Sequence, residues 1–219
     1  MPSEGALRDG GAAGFHLIET MLWDRDRGVV RGDRHLRRLL RSAAELGFRH
    51  DAGAIETLFS HHHASDGPLR LRLTLTQDGE TELTEHPFVP VAEGAVWRVV
   101  LAATRLNSAD RLLAHKTSRR AIYEAARAEF AAGEADEVVL LNERGEICEG
   151  AITSVFARFG AGPLVTPPLA CGLLAGVLRE ELLEKGNAVE RVISPGDLRG
   201  AEALFVGNSL RGLIPARLT

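Results

Sequence analysis

The chain contains twenty-six basic residues, of which only Lys116 and Lys185 are lysines and the other twenty-four arginines. A guanidinium stays charged at any working pH, whereas a lysine can lose its proton where its surroundings disfavour the charge. Coding bias accounts for the arginine excess but not for which two positions keep lysine. Lys185, in ELLEKGN, is an ordinary cation in a last helical turn before glycine. Lys116 has no such explanation. His115 precedes it, and Arg119 and Arg120 follow it at the start of a run that reads as helix. The positive end of that helix and the two arginines would lower the lysine pKa. They would favour the neutral amine, the form that adds to carbonyl carbon. A solvated lysine at a helix start would have the same local sequence, and His115 reads equally well as a packed histidine.

Other residues offer weaker chemistry. Glu149 closes a strand beside Gly150, a place from which a carboxylate could pair with a protonated ring nitrogen or a metal. The loop 172–176, GLLAG, runs into a helix at Val177 and would present free backbone N–H groups, a natural phosphate cradle. It lacks the Gly-Lys-Ser/Thr of a Walker loop. Gly207-Asn208-Ser209 is a second turn with donors. His61-His62-His63 could suggest a metal, but three consecutive side chains converge poorly on one ion and no partner lies at ligand spacing, so no metal site is expected. Neither a Gly-x-Ser-x-Gly elbow nor a Gly-x-Gly-x-x-Gly fingerprint is present, which removes the usual support for a hydrolase or a Rossmann dehydrogenase.

The elements that must position these residues alternate along the chain. Residues 1–14 read as loose, 15–23 and 28–31 as strands, and 33–46 as a helix with Asp33 as its N-cap. A short helix is expected over 52–60. Leu69, Leu71, Leu73 and Leu75 alternate with Arg70, Arg72, Thr74 and Thr76, the pattern of a half-buried strand. The segment 85–94 has two prolines and little periodicity, which places a domain junction there, with domains 1–90 and 91–219. Beyond it come a strand at 96–103, a helix at 118–132, the hairpin EVVLL-NERG-EICEG and a strand at 154–159. A turn at Thr166-Pro167-Pro168, a helix at 177–185, a short helix opened by Ser194-Pro195, and strands at 202–206 and 213–218 complete the chain. The fold class is α+β.

Composition narrows the field. The 219 residues suffice for one large domain or two small ones with a real core. A net charge of −4 argues against nucleic acid as the partner, and 45% hydrophobic with 26% charged residues is ordinary for a globular protein. No apolar run reaches the roughly 18 residues that span a bilayer. The start MPSEGALRDGG lacks an apolar signal core, so no membrane partner and a cytoplasmic location are expected. Cys148 and Cys171 lack metal spacing and read as free thiols.

Taken in order, these features resemble the class IV aminotransferases, the fold-type IV pyridoxal 5'-phosphate (PLP) enzymes. The resemblance runs from Phe15 to the C-terminus. Its anchors are His35-Leu36-Arg37-Arg38-Leu39, Lys116-Thr117, Glu149-Gly150 with Val155-Phe156, Thr166-Pro167-Pro168, Gly172-x-Leu-x-Gly176-x-x-Arg179, and Asn208-Ser209-Leu210 with Pro215. It implies a small α/β domain plus a larger pseudo-barrel β domain with flanking helices, and a homodimer with sites near the interface. The family's first strands, which precede the FHLIET segment, are missing here, so the small domain is expected to have shortened N-terminal strands. By the same resemblance Lys116 looks like the lysine that forms a Schiff base with PLP and moves the proton. Glu149 looks like the glutamate on the pyridine nitrogen and Arg38 like the arginine on the phosphate. The amides of Val177 and Leu178, and those around Asn208 and Ser209, are implied as further phosphate donors.

Within the family the sequence looks most like 4-amino-4-deoxychorismate lyase. Branched-chain aminotransferases carry a threonine where Leu178 stands and a tyrosine where Ala121 stands; Ser154 replaces the family's usual asparagine. The implied reaction eliminates pyruvate to leave 4-aminobenzoate for folate synthesis. An amine substrate with a carboxylate needs a cation, for which Arg72 and Arg211 are candidates, and Thr20 is a possible hydroxyl near the cofactor. Two alternatives stand beside this one. The first is a class IV aminotransferase acting on branched-chain or D-amino acids, and the second is a degenerate non-catalytic subunit of the same fold.

Overall fold

The computed structural model describes residues 14–60 and 65–219. The triple-histidine run and all but the last residue of the loose N-terminal stretch lie outside the described residues. The described chain builds two sheets. The first is antiparallel, in the order β2-β1-β3-β4, from β1 (Leu17–Asp24), β2 (Gly28–Val29), β3 (Leu69–Leu75) and β4 (Thr81–Pro87). The leucines of β3 are buried, and Arg70 and Arg72 take its other face. Register carries this alternation into β1, where Thr20 lies opposite Arg72 and Leu17 opposite Leu75. Helices α1 (Gly32–Leu46) and α2 (Ala52–Ser60) accompany the sheet, and Leu39, Ala43, Phe48 and Ile55 join Met21, Trp23 and the β3 leucines in one core.

The second sheet has eight strands in the order β10-β9-β8-β11-β12-β5-β6-β7. These are β5 (Trp97–Leu106), β6 (Glu137–Asn142), β7 (Ile147–Gly150), β8 (Ser154–Arg158), β9 (Leu164–Thr166), β10 (Ala188–Glu190), β11 (Ala203–Asn208) and β12 (Gly212–Leu218). The run VVLL in β6 is apolar throughout because both faces of that strand are covered. Val138 and Leu140 enter one core with Tyr123 and Cys171, while Val139 and Leu141 enter another with Val155 and Val206. Three α-helices accompany this sheet: α3 (Ala121–Ala128), α4 (Val177–Glu184) and α5 (Pro195–Arg199). Residues 88–96 connect the two sheets.

Several local expectations need correcting. Asp33 lies in the first turn of α1 and is not its N-cap. The cap is Arg31, in the left-handed region at φ 59, and no side chain caps the helix. That backbone is held by tertiary contacts, since the Arg31 side chain pairs with Glu181 of α4 and donates to the Ser209 carbonyl at 3.3 Å. α3 begins at Ala121, not at residue 118, because residues 116–118 join the edge of β1 instead. Ile18 N donates to Lys116 O at 2.8 Å, Ser118 N donates to His16 O at 2.9 Å, and Leu17 bridges Thr117. Strands β4, β9 and β10 are additional to those expected from the sequence, since β4 has little apolar alternation and the other two span three residues each.

Leu71 is fully buried between β1, β4 and the helices. Leu71→Ala is expected to lower the unfolding free energy by about 2–5 kcal/mol, measured by urea denaturation. A loss under about 1 kcal/mol would contradict this packing.

Candidate active site

A cavity of about 420 Å³ opens between the two sheets. All ten residues singled out from the sequence line it, although they come from seven separate parts of the chain. Thr20 and Arg72 face it from the small sheet and Arg38 from α1. Lys116 and Glu149 approach from the segment before α3 and the end of β7. Val177 and Leu178 open α4, and Asn208, Ser209 and Arg211 form the β11–β12 turn.

Lys116 is held by its backbone at the edge of β1, and its pKa is lowered to about 8. Burial is the main cause, with the charges of Arg38, Arg120 and Arg72 adding to it and Glu19 opposing. The helix dipole expected from the sequence is not the cause, because α3 starts five residues later. Of the two arginines that follow the lysine, Arg120 is one of these charges, and the Arg119 guanidinium lies over the Phe15 ring at 4.9 Å. His115 is a packing residue, bonded through Nδ1 to Ser42 Oγ at 2.9 Å and facing Glu45 at 3.5 Å.

Burial moves Glu149 in the opposite direction, raising its pKa to about 7. Two donors hold its carboxylate: the Tyr123 hydroxyl at 2.6 Å on Oε1 and the Leu174 amide at 3.1 Å on Oε2. Arg120 steadies this corner, its guanidinium 4.7 Å from the centre of the Tyr123 ring and bonded to the Ala151 carbonyl. Burial and the Glu149 charge push Tyr123 far above its ordinary value, so it stays a neutral donor.

Arg38 spends part of its fork on Glu19, Nε to Oε1 at 2.8 Å and Nη2 to Oε2 at 2.5 Å, and gives Nη1 to the Ala175 carbonyl at 3.1 Å. A guanidinium has five N–H bonds, so two remain for an anion in the cavity. No side chain caps α4 at Gly176. The first amides of that helix, those of Val177 and Leu178, are the orphan donors that bind anions. The cradle is tight: a Cβ on Gly176 would meet Ser154 Oγ at 2.7 Å, and one on Gly207 would meet the Gly212 carbonyl at 2.5 Å and Leu178 Cδ2 at 3.0 Å. Asn208 ties the turn with its side chain, donating to the Ile152 carbonyl at 3.0 Å and accepting from Arg211 N at 2.9 Å. Its second amide hydrogen and its backbone are left to face a ligand.

The sequence reading missed Glu19, Tyr123, the contacts of Arg120 with Tyr123 and Ala151, and the part His35 plays. Two of these had a signal: Tyr123 is the sole tyrosine, and Glu19 is the lone acid in the apolar run FHLIETMLW. Among the described residues no helix is long and apolar enough to cross a membrane, and no group of three or more His, Cys, Asp or Glu is placed to hold a metal.

A model of the amino-transferase class IV family matches residues 16–218. The chain belongs to this family. It is 54% identical to a protein of Mesorhizobium loti whose crystal structure is described as a candidate amino-acid aminotransferase; the match covers 94% of this chain and 100% of that one, with a TM-score of 0.90. The crystal structure of 4-amino-4-deoxychorismate lyase from Pseudomonas aeruginosa matches at 27% identity and a TM-score of 0.80, over 100% of this chain and 88% of that one. A candidate aminodeoxychorismate lyase of Schizosaccharomyces pombe is 29% identical over 206 residues, 90% of this chain and 86% of its own length. This is a PLP-dependent enzyme of the α+β fold-type IV architecture. The cavity fits the cofactor, offering an amine of lowered pKa for its carbonyl carbon, a carboxylate for its ring nitrogen and a cradle of amides and arginine for its phosphate.

Two expectations follow. In the cofactor-free protein, acylation of Lys116 should show a pH inflection near about 8, not at 10.5. An inflection at the ordinary lysine value would mean the amine is solvated. Tyr123→Phe removes a bond that lowers the Glu149 pKa, so the Glu149 carboxyl resonance should titrate above about 7. A value at or below 7 would remove Tyr123 from this role.

Proposed function

We propose that this enzyme is a 4-amino-4-deoxychorismate lyase that releases pyruvate and leaves 4-aminobenzoate. The observation that carries the reading is the charge of the cavity wall. Arg70, Arg72, Arg105, Arg119, Arg120 and Arg211 line it, against Glu149 and Asp110 as the only carboxylates among its described lining residues. Such a wall suits a substrate with two carboxylates and would strand the side chain of a branched-chain amino acid among cations. Arg72 and Arg211 are the proposed carboxylate partners, one on each side of the cavity, with Thr20 beside Arg72 as a hydroxyl.

PLP, when bound, supplies a ring that takes up the electron pair of a C–H bond broken beside the substrate nitrogen. The chain's own residues do the rest. Lys116 would hold the cofactor through Nζ and, with the substrate amine bound, would accept the proton from the substrate carbon that bears the nitrogen. A pKa near 8 makes it a competent base at neutral pH. Glu149, shared between Tyr123 and Leu174, keeps a proton on the ring nitrogen. Arg38 and the amides of Val177, Leu178, Asn208 and Ser209 hold the phosphate. In the elimination a C–H bond and the C–O bond to the enolpyruvyl group break, a ring double bond forms, and the departing enol takes a proton to become pyruvate. No further reactant is needed.

A second reading, amino transfer, is favoured by the 54% identity to the Mesorhizobium loti protein. The homodimer, the cytoplasmic location and the division into domains 1–90 and 91–219 belong to the main reading. Light scattering tests the dimer.

The deciding assay supplies the PLP-loaded enzyme with 4-amino-4-deoxychorismate and no keto acid. Equal amounts of pyruvate and 4-aminobenzoate are expected, together with a visible absorption band abolished by borohydride. Lys116→Ala should lose the band and at least about a thousandfold in rate. Glutamate formed from 2-oxoglutarate and an amino acid, with no pyruvate released, would move the assignment to the aminotransferase.

A further inference from the structure

Behind the phosphate cradle lies a chain of buried polar groups whose hydrogen-bond directions can be worked out. Glu19 is 1% exposed, His35 1% and Ser209 6%. His35 Nδ1 lies 2.6 Å from Glu19 Oε2, and His35 Nε2 lies 2.8 Å from Ser209 Oγ. Burial raises the Glu19 pKa, but Arg38 and His35 outweigh it and hold the carboxyl at about 2, so at neutral pH it is an acceptor only. The proton between Glu19 and His35 therefore sits on Nδ1. Burial lowers the His35 pKa, so the free protein holds the neutral ring with a bare Nε2. The hydrogen in the second bond must then come from Ser209.

That direction is wrong for an anion. A hydroxyl has one hydrogen, and in this state Ser209 points it at His35 and turns lone pairs toward the cavity. A phosphate entering the cradle would meet oxygen lone pairs. Protonation of His35 reverses the bond: Nε2–H donates to Ser209 Oγ, and the serine hydrogen is freed for the anion. The new positive charge has Glu19 already in place at Nδ1, and the entering dianion provides a second opposite charge.

We propose that His35 is a positioning residue that takes up one proton when a phosphate group enters the cradle, turning Ser209 from an acceptor into a donor toward that group. The inference rests on the reading that Val177, Leu178 and Ser209 hold the cofactor phosphate. Charged groups face His35 from each element around it: Glu19 on β1, Arg38 on its own helix and Lys116 before α3. The β11–β12 turn contributes the uncharged Ser209, with Arg31 bonded to its carbonyl. Glu19 favours the uptake and the cations oppose it, which leaves the dianion to decide the balance.

The test uses the full chain, free of cofactor, with sulfate as the probe, because sulfate is a dianion that does not titrate between pH 6 and 9. The ring nitrogens of ¹⁵N-labelled histidine report protonation directly, with His35 identified by its absence from His35→Gln. At pH 7.5, the expectation is a bare Nε2 without sulfate and a protonated one at saturation, and the same protonated ring in the PLP-loaded protein. Sulfate affinity should fall by about tenfold per pH unit between the two His35 pKa values. In His35→Gln that His35 component of the slope should vanish, even though Lys116 and Glu149 still titrate. Ser209→Ala, which keeps the histidine, is expected to bind sulfate with a flattened slope and serves if His35→Gln does not fold. If sulfate shifts the Val177 and Leu178 amides while Nε2 stays bare, the proton uptake is overturned and the cradle stands. If neither sulfate nor PLP shifts those amides, both are overturned.

Discussion

Glu19 occupies the core face of β1, where Leu17, Met21 and Trp23 are its neighbours on alternate positions. An unpaired carboxylate there would cost several kcal/mol. It is tolerated because α1 brings Arg38 and His35 onto both of its oxygens. The same pairing sets the height and rotation of α1 on the small sheet, and with them the direction in which Arg38 and His35 face the cavity. Through Ser209 it also reaches the turn of the large sheet. Losing the carboxylate would leave a buried guanidinium without its partner. One acid thus connects the core of the first sheet, its helix and the β11–β12 turn of the second sheet.

The cavity sits where neither sheet closes its own surface, and low solvent access there acts on two groups in opposite directions. It lowers the amine of Lys116 to about 8 and raises the carboxyl of Glu149 to about 7. Both are thereby brought near neutral pH from ordinary values several units apart, where either group can exchange a proton. Tyr123 and the Leu174 amide restrain the carboxyl without cancelling the effect of burial.

A row of ion pairs closes the same seam from outside. Arg31 pairs with Glu181, Arg34 with Glu184 and Arg37 with Glu180, joining α1 to α4. Pairs with half-exposed members add little stability each. Their effect is alignment. They hold the first turn of α4, with its free amides, against the helix that carries Arg38, and Arg31 adopts a left-handed backbone to take part.

What the sequence determined by itself is local and chemical. The alternation of leucine with arginine gave β3 and both its faces, the VVLL run marked β6, and the motifs around Arg38, Lys116, Glu149 and Ser209 named residues that one cavity collects. A lysine kept in a chain of arginines pointed to the buried amine of lowered pKa in that cavity. Tertiary structure alone decided the causes. Lys116 loses proton affinity to burial and to Arg38 from another element, not to the helix that follows it. α1 has its N-cap at Arg31 and not at Asp33 because Glu181, about 150 residues away, holds Arg31. Only the fold places the Tyr123 hydroxyl on Glu149. Glu19, His35 and Ser209 are each unremarkable in sequence. Hydrogen-bond direction and desolvation depend on groups that meet only in three dimensions, and no spacing along the chain encodes them.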